Sequence, residues 1–218
     1  MNRQYFFATL FLSALCLISK AQTADPELDN YSRLDVSYVS QQPVDIEAGI
    51  PLVSNHSLTG VSLAYTFGIN VTGHSTPLFL EVGPDISYTQ RTDEVDIWYD
   101  AFSVVHEDVK MQILSLGTPL NLTYRLPLSD AFVLAPSAGL NAKLNLLAKT
   151  SSGGETADLL DHGAKRFQLG CNAGCGIYYG RYYLGLQYAY DLTPFYTYQQ
   201  GHEKERYQQF RLSLGYRF

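Results

Sequence analysis

Beyond its first twenty residues the sequence has no apolar run approaching the ~20 residues that a transmembrane helix needs. If the chain sits in a membrane, strands must carry it. Cysteine is scarce, with three residues, and one of these, Cys16, lies in the N-terminal apolar run. Cys171 and Cys175 stand four residues apart in a strand-like stretch. At about 3.3 Å per residue their Cα atoms lie about 13 Å apart, too far for a disulfide with each other. No histidine or second cysteine pair accompanies them, so they read as small apolar side chains on one strand face. Charged residues make up only 17% of the chain, and the 15 basic residues are outnumbered by 21 acidic ones, which argues against nucleic acid as a partner. No G-x-S-x-G elbow or phosphate-binding glycine loop is present. Ser103 near His106, and His74 beside Ser75, lack any defining motif around them. No catalytic residue is assigned, and neither cofactor nor metal is expected.

What is present begins with an export signal. Arg3 supplies a positive start, Phe6 to Ile18 form a short apolar core, and Ser19-Lys20-Ala21 place small residues where a signal peptidase reads. Residues 1–21 are therefore expected to be a signal peptide, cut between Ala21 and Gln22, with residues 22–218 forming one domain. Cys16 does not fit a lipid-attachment site, because Leu15 stands where a small residue is required. Loss of Arg3 and Lys20 makes the mature chain more acidic than the full-length net charge of −6.

From residue 30 onward the dominant signal is strict alternation. Leu34, Val36 and Tyr38 share one face, opposite Arg33, Asp35 and Ser37. Similar apolar faces start at Val61, Leu78, Leu114, Phe132, Phe167, Tyr182 and Phe210, which makes eight strands. Upstream of Leu114 the parity reverses, with Val109, Met111 and Ile113 on the other face; a β-bulge near Ile113-Leu114 is expected to switch it. Three connections, at 72–76, 127–130 and 180–181, are short, and four, at 43–56, 92–108, 149–164 and 193–206, are long and polar. Short and long alternate throughout, as in an up-and-down outer-membrane barrel with both termini in the periplasm. The fold expected is all-β, an eight-stranded antiparallel up-and-down transmembrane β-barrel.

Side-chain volume decides which face points out. The apolar faces are too bulky to fill eight strands, whereas the Gly-, Ser- and Asn-rich alternates suit a narrow interior. Seventeen Tyr and 11 Phe give a high aromatic content. Phe67, Phe79, Tyr124, Phe132, Tyr179, Tyr182, Tyr216 and Phe218 read as a periplasmic girdle, and Tyr38, Tyr88, Tyr188, Tyr190, Tyr207 and Phe210 as an outer one.

Four stretches, Leu80 to Gln90, Leu116 to Leu126, Gly170 to Tyr179 and Leu212 to Phe218, give the chain a further character. It resembles the outer-membrane protein β-barrel domain family, the porin-family small barrels of Gram-negative bacteria. The resemblance implies an outer-membrane location and contact with outer-membrane lipid. It also implies periplasmic chaperones during export, and a barrel-insertion machinery that reads Leu212, Leu214, Tyr216 and Phe218 as an assembly signal.

The interior-facing set holds Arg33, Asp35, Glu81, Asp85, Arg125, Lys143, Asp191, Arg211 and Arg217. In so narrow a space lone charges are costly, so an ion-paired network that plugs the lumen is expected. His56, His106, His162 and His202 each fall in a different long connection, where convergence with Asp158, Asp161 and Glu203 would make a metal site and divergence simply a solvated surface. Trp98, Tyr99, Phe102, Phe195, Tyr196 and Tyr198 are the loop aromatics suited to a contact surface. The expected function is non-enzymatic, structural or surface-interacting. The alternatives are a small porin, a lipid-modifying enzyme and, more distantly, a soluble lipocalin-like binder.

Overall fold

Alternation of apolar and polar residues produces long strands, and the computed structural model describes residues 28–44, 57–72, 76–98, 104–197 and 204–218. They form β1 (Tyr31–Val44), β2 (Leu58–Asn70), β3 (Leu78–Val82), β4 (Asp85–Trp98), β5 (Val104–Tyr124), β6 (Leu126–Pro127), β7 (Phe132–Ser152), β8 (Glu155–Asp158), β9 (Phe167–Tyr179), β10 (Tyr182–Asp191), β11 (Tyr196–Thr197) and β12 (Lys204–Arg217). β3 and β4 are two halves of one stave, interrupted at Gly83-Pro84, where Pro84 has no N–H to give to the ladder. β6, β8 and β11 are short extensions paired to β7 and β12. Eight staves remain, each antiparallel to the next. β1 pairs β2, β2 pairs β3 and β4, those pair β5, and the series continues through β7, β9, β10 and β12. β12 returns to β1, from Arg33↔Arg217 to Val44↔Arg206, which closes the barrel.

The two faces divide as the alternation requires. Leu34, Val36, Val61, Leu122, Leu140 and Leu186 are 39–59% exposed on the outside, while Arg33, Asp35, Ser37 and Ser62 are at most 5% exposed within. A belt of exposed Leu, Val and Phe around the whole wall is compatible only with hydrocarbon as the surrounding medium. β5 and β7, at 21 residues each, are far longer than the ~10 residues that cross a bilayer, so the outer end projects beyond it. Accordingly the long connections are shorter than the sequence suggests: β4 runs on to Trp98 and β5 begins at Val104, and the β7–β8 hairpin turns on Gly153 and Gly154, both at positive φ.

The parity change before Leu114 has a different cause from the bulge expected there. The β4–β5 register is unbroken from Asp85↔Gly117 to Trp98↔Val104, so Met111 and Ile113 keep pointing inward. They are buried with Leu58, Ala148, Ala164, Phe195 and Tyr207 in an apolar core that fills the outer end of the barrel. The bulge belongs to β7: Leu114 pairs Leu147 while Ser115 pairs Asn145, leaving Leu146 as the extra residue. Two aromatics assigned to the girdles are likewise interior. Phe79 and Tyr207 are 0% and 1% exposed, Phe79 packed against Tyr31 and Arg125 and Tyr207 against Phe195. Replacing Ile113 with Ala is therefore expected to cost about 2–5 kcal/mol, the range for a buried aliphatic residue cut to Ala. Urea unfolding of the protein folded in lipid vesicles measures it, and a cost near zero would return Ile113 to the lipid face.

Candidate functional site

The interior is the part of the molecule where polar chemistry concentrates, and it changes character with height. At the end of the barrel where the described chain begins and ends, Arg33 on β1 holds Asp35 through Nε at 2.8 and 3.0 Å and Glu81 on β3 through Nη1 at 3.3 Å. It also donates to the Tyr178 hydroxyl, and its guanidinium lies 3.8 Å from the centre of the Tyr183 ring. Tyr31 donates to Glu81. Arg125, 1% exposed, sits within about 5 Å of the Tyr31, Phe79 and Tyr178 rings. A guanidinium stacked on aromatic faces is well placed electrostatically, since ring quadrupoles attract cations. Tyr183 reaches this cluster because Gly176 and Gly185 leave it room: a Cβ at either would come within 2.3 Å of the phenol.

Halfway up, Arg211 pairs with Asp85 at 2.6 Å, Ser37 with Ser213 at 2.8 Å, and Gln187 with Asn172 at 3.0 Å. Two small chambers flank Arg211. One, of about 30 Å³, is lined by Asp85, Asn141 and Lys143. The other, of about 40 Å³, is lined by Asp35, Thr66, Asn121 and Ser213. Either has room for water, and Asp85 Oδ1, Asn121 Oδ1 and Asn141 Oδ1, which bond to no protein group among the described residues, are the acceptors it would satisfy.

Higher still, Lys143 pairs with Asp191 at 2.9 Å, and Gln168 donates to the same carboxylate at 3.1 Å. Asn145 links Gln168, Ser115 and the Lys165 carbonyl. Arg91 pairs with Asp93 at 3.0 Å. Above these lies the apolar core. Phe195 and Tyr207 meet edge-on at 5.4 Å, and the backbone bonds Leu159 N to Ala148 O and Lys165 N to Phe195 O dock two external connections onto it.

All nine charged residues assigned to the interior lie there, Arg211 a little less buried than the rest. Sequence reasoning missed Asp93 and Glu205, which share the inward parity but lie in stretches read as loop, and Arg91, which stands just before one of them, and missed Tyr31, Tyr178 and Tyr183 as members of the network. With them, the interior carries six cationic and six anionic side chains among the described residues. Leu214 on β12, and Phe218 just past its end, are exposed on the outer wall and Leu212 and Tyr216 half-buried, with Tyr216 between Phe218 and Tyr182. Phe195 is buried and Tyr196 half-buried, so neither belongs to an open contact surface; Tyr99, Phe102, Tyr198 and the side chain of Trp98 lie outside the described residues. Of the four loop histidines only His162 has its side chain described. It is exposed, with Nδ1 2.6 Å from the Asp158 carbonyl. His56, His202, the His106 side chain, His74, Ser75 and Ser103 lie outside the described residues, as do Ser19, Ala21 and Gln22.

A closed antiparallel barrel, apolar outside and ion-paired within, is a transmembrane β-barrel protein. The family model for the outer membrane protein beta-barrel domain matches residues 7–218, and the chain belongs to that family. It is an outer-membrane protein of a Gram-negative bacterium. Among solved structures it is similar to the attachment invasion locus protein of Yersinia pestis, determined in complex with the heparin analogue sucrose octasulfate (16% identity, 87% of this chain and 99% of that one, TM-score 0.48). It is also similar to Neisserial surface protein A (17% identity, 87% and 97%, TM-score 0.45) and to OprG from Pseudomonas aeruginosa (14% identity, 87% and 96%, TM-score 0.44). No curated protein matches the chain.

The Lys143–Asp191 pair offers a direct test of how the interior is held. Lys143→Met leaves a buried carboxylate without its cation and is expected to cost about 3–5 kcal/mol. Adding Asp191→Asn should restore most of that loss, and a double-mutant cycle on unfolding free energies reads the coupling.

Proposed function

We propose that the protein is a non-enzymatic outer-membrane barrel whose lumen is plugged by its own side chains and whose role is structural or exercised through its external surface. The observation that carries this reading is the filling of the described interior toward both ends, by the Arg33–Glu81–Tyr178 cluster below and the Phe195–Tyr207 core above, with chambers of about 30 and 40 Å³ flanking Arg211 between them. A small porin needs a continuous aqueous path, and among the described residues packed rings and ion pairs occupy the interior on either side of the two chambers. The same reading takes residues 1–21 as a cleaved signal peptide and places both ends of the mature chain in the periplasm. Leu212, Leu214, Tyr216 and Phe218, with their apolar side chains on the outer wall of the last strand, are the segment that the barrel-insertion machinery would read, after periplasmic chaperones deliver the chain.

Two measurements test it. In planar bilayers the purified protein should give no stable, large single-channel steps; reproducible steps would replace this reading with the porin. An epitope inserted between Gly153 and Gly154 should be stained by antibody on intact cells, and one inserted between Gly180 and Arg181 only after permeabilisation. The reverse pattern would invert the topology.

A further inference from the structure

Two features of the outer wall coincide on the same staves. The first is a groove of about 390 Å³ lined by Pro84, Leu116, Thr118, Ala142, Leu144 and Phe167, among others. Its origin is the register. Val82↔Leu120 and Asp85↔Gly117 put Pro84 opposite Thr118, and Thr118 pairs Ala142. Three short outward side chains thus stand side by side on adjoining staves where the neighbours are leucines, and the belt is notched. The groove is continuous with the lipid-facing surface, so what enters it is hydrocarbon.

The second feature is a set of cations just above. Tyr88, Leu114 and Leu147 form the top row of the apolar belt on β4, β5 and β7. The next outward row, about 7 Å higher at 3.3 Å per residue, holds Gln112 and Lys149. Lys110 follows on β5, opposite Ser151 and therefore diagonal to Lys149. Lys165 and Arg166 immediately precede Phe167, held against β7 by the bond from Asn145 N to Arg166 O. Lys110, Lys165 and Arg166 are exposed and Lys149 half-buried. None of the four side chains makes an ion pair or hydrogen bond with another described residue. The nearby carboxylates are Asp158, across from Lys149 but accepting the Leu160 N–H at 2.9 Å, and Glu94 and Asp108, which face each other farther from the bilayer than Lys110. In a chain whose net charge is −6, the unpartnered Lys110, Lys149 and Lys165, of outward parity near the upper edge of the belt, with the exposed Arg166 at the start of the same stave, form a surface complementary to an anion carrying a hydrocarbon tail.

We propose that this face binds a phosphate-bearing lipid of the outer leaflet, its headgroup against Lys149, Lys165, Arg166 and Lys110 and an acyl chain in the groove over Thr118 and Ala142. The site rests on the proposed topology and not on whether the lumen is plugged, so conductance and lipid retention fail separately. The test uses the full-length protein folded in neutral detergent micelles, with folding verified by heat-modifiable migration. Native mass spectrometry then compares retention of bis-phosphorylated lipid A with that of phosphatidylcholine. The wild type should prefer the phosphorylated lipid by roughly tenfold or more, since each Lys or Arg near an anionic surface contributes about a factor of five. K110Q/K149Q/K165Q/R166Q should lose that preference. Ala142→Leu, which fills the groove and leaves the charges, should weaken retention of the lipid without abolishing the preference for phosphate. Equal retention of both lipids by the wild type, or an undiminished preference in the charge variant, overturns the proposal. If inorganic pyrophosphate binds as tightly as the lipid, or Ala142→Leu retains as much of it as the wild type, the groove has no part and the proposal falls in that form.

Discussion

Everything in this molecule follows from one constraint: in hydrocarbon no water is available to satisfy a backbone N–H or C=O, so every strand must have a neighbour on both sides. The β1–β12 ladder meets that demand by joining the ends of the chain over twelve residue pairs. Once the ladder is closed, side chains have only two destinations, lipid or lumen, and they alternate between them. Whatever polar character the sequence carries through the membrane is then forced into a cylinder barely wide enough for side chains. The charged interior is a consequence of closure rather than an independent choice.

That interior is filled with three different chemistries. At the bottom, Arg33 and Arg125 are packed among carboxylates and phenol rings, a job for which a planar guanidinium is suited and an ammonium is not. In the middle small chambers flank Arg211, which is held by Asp85. At the top the packing is apolar. Buried ion pairs are weak evidence for stability, but breaking one is expensive. Their value here is in register. Arg33 on β1 meets Glu81 on β3 and Tyr178 on β9, and a slip of one residue in any of those staves would turn its partner into the lipid.

The division between wall and lumen was legible because the period of a strand admits no intermediate value: Leu34, Val36 and Tyr38 against Arg33, Asp35 and Ser37 permits one assignment. The reversal at Val109, Met111 and Ile113 permits two, a bulge or a change in what fills the interior, and local sequence does not separate them. The bulge itself was hidden because Leu144, Leu146 and Leu147 present a leucine at either parity. Phe195 reads as an exposed loop aromatic until the backbone bond from Phe195 N to Glu205 O brings it over the barrel mouth. The pairing of Arg33 with Tyr178 joins residues 145 apart, which only the closed barrel brings together.

The single extra residue in β7 has effects on both faces. Inward positions below it are Lys143 and Asn145; without Leu146 as a bulge the next would be Leu147 and Lys149, and Ala148 would face the lipid. With it, Ala148 turns inward, 0% exposed, to complete the apolar core, and Lys149 turns outward to the edge of the belt. One insertion therefore keeps an unpaired ammonium out of an apolar plug and sets it at the height of the lipid headgroups. The apolar core inside and the charge of the outer wall are fixed by the same local departure from a regular strand. A change that removed the bulge would have to rebuild both.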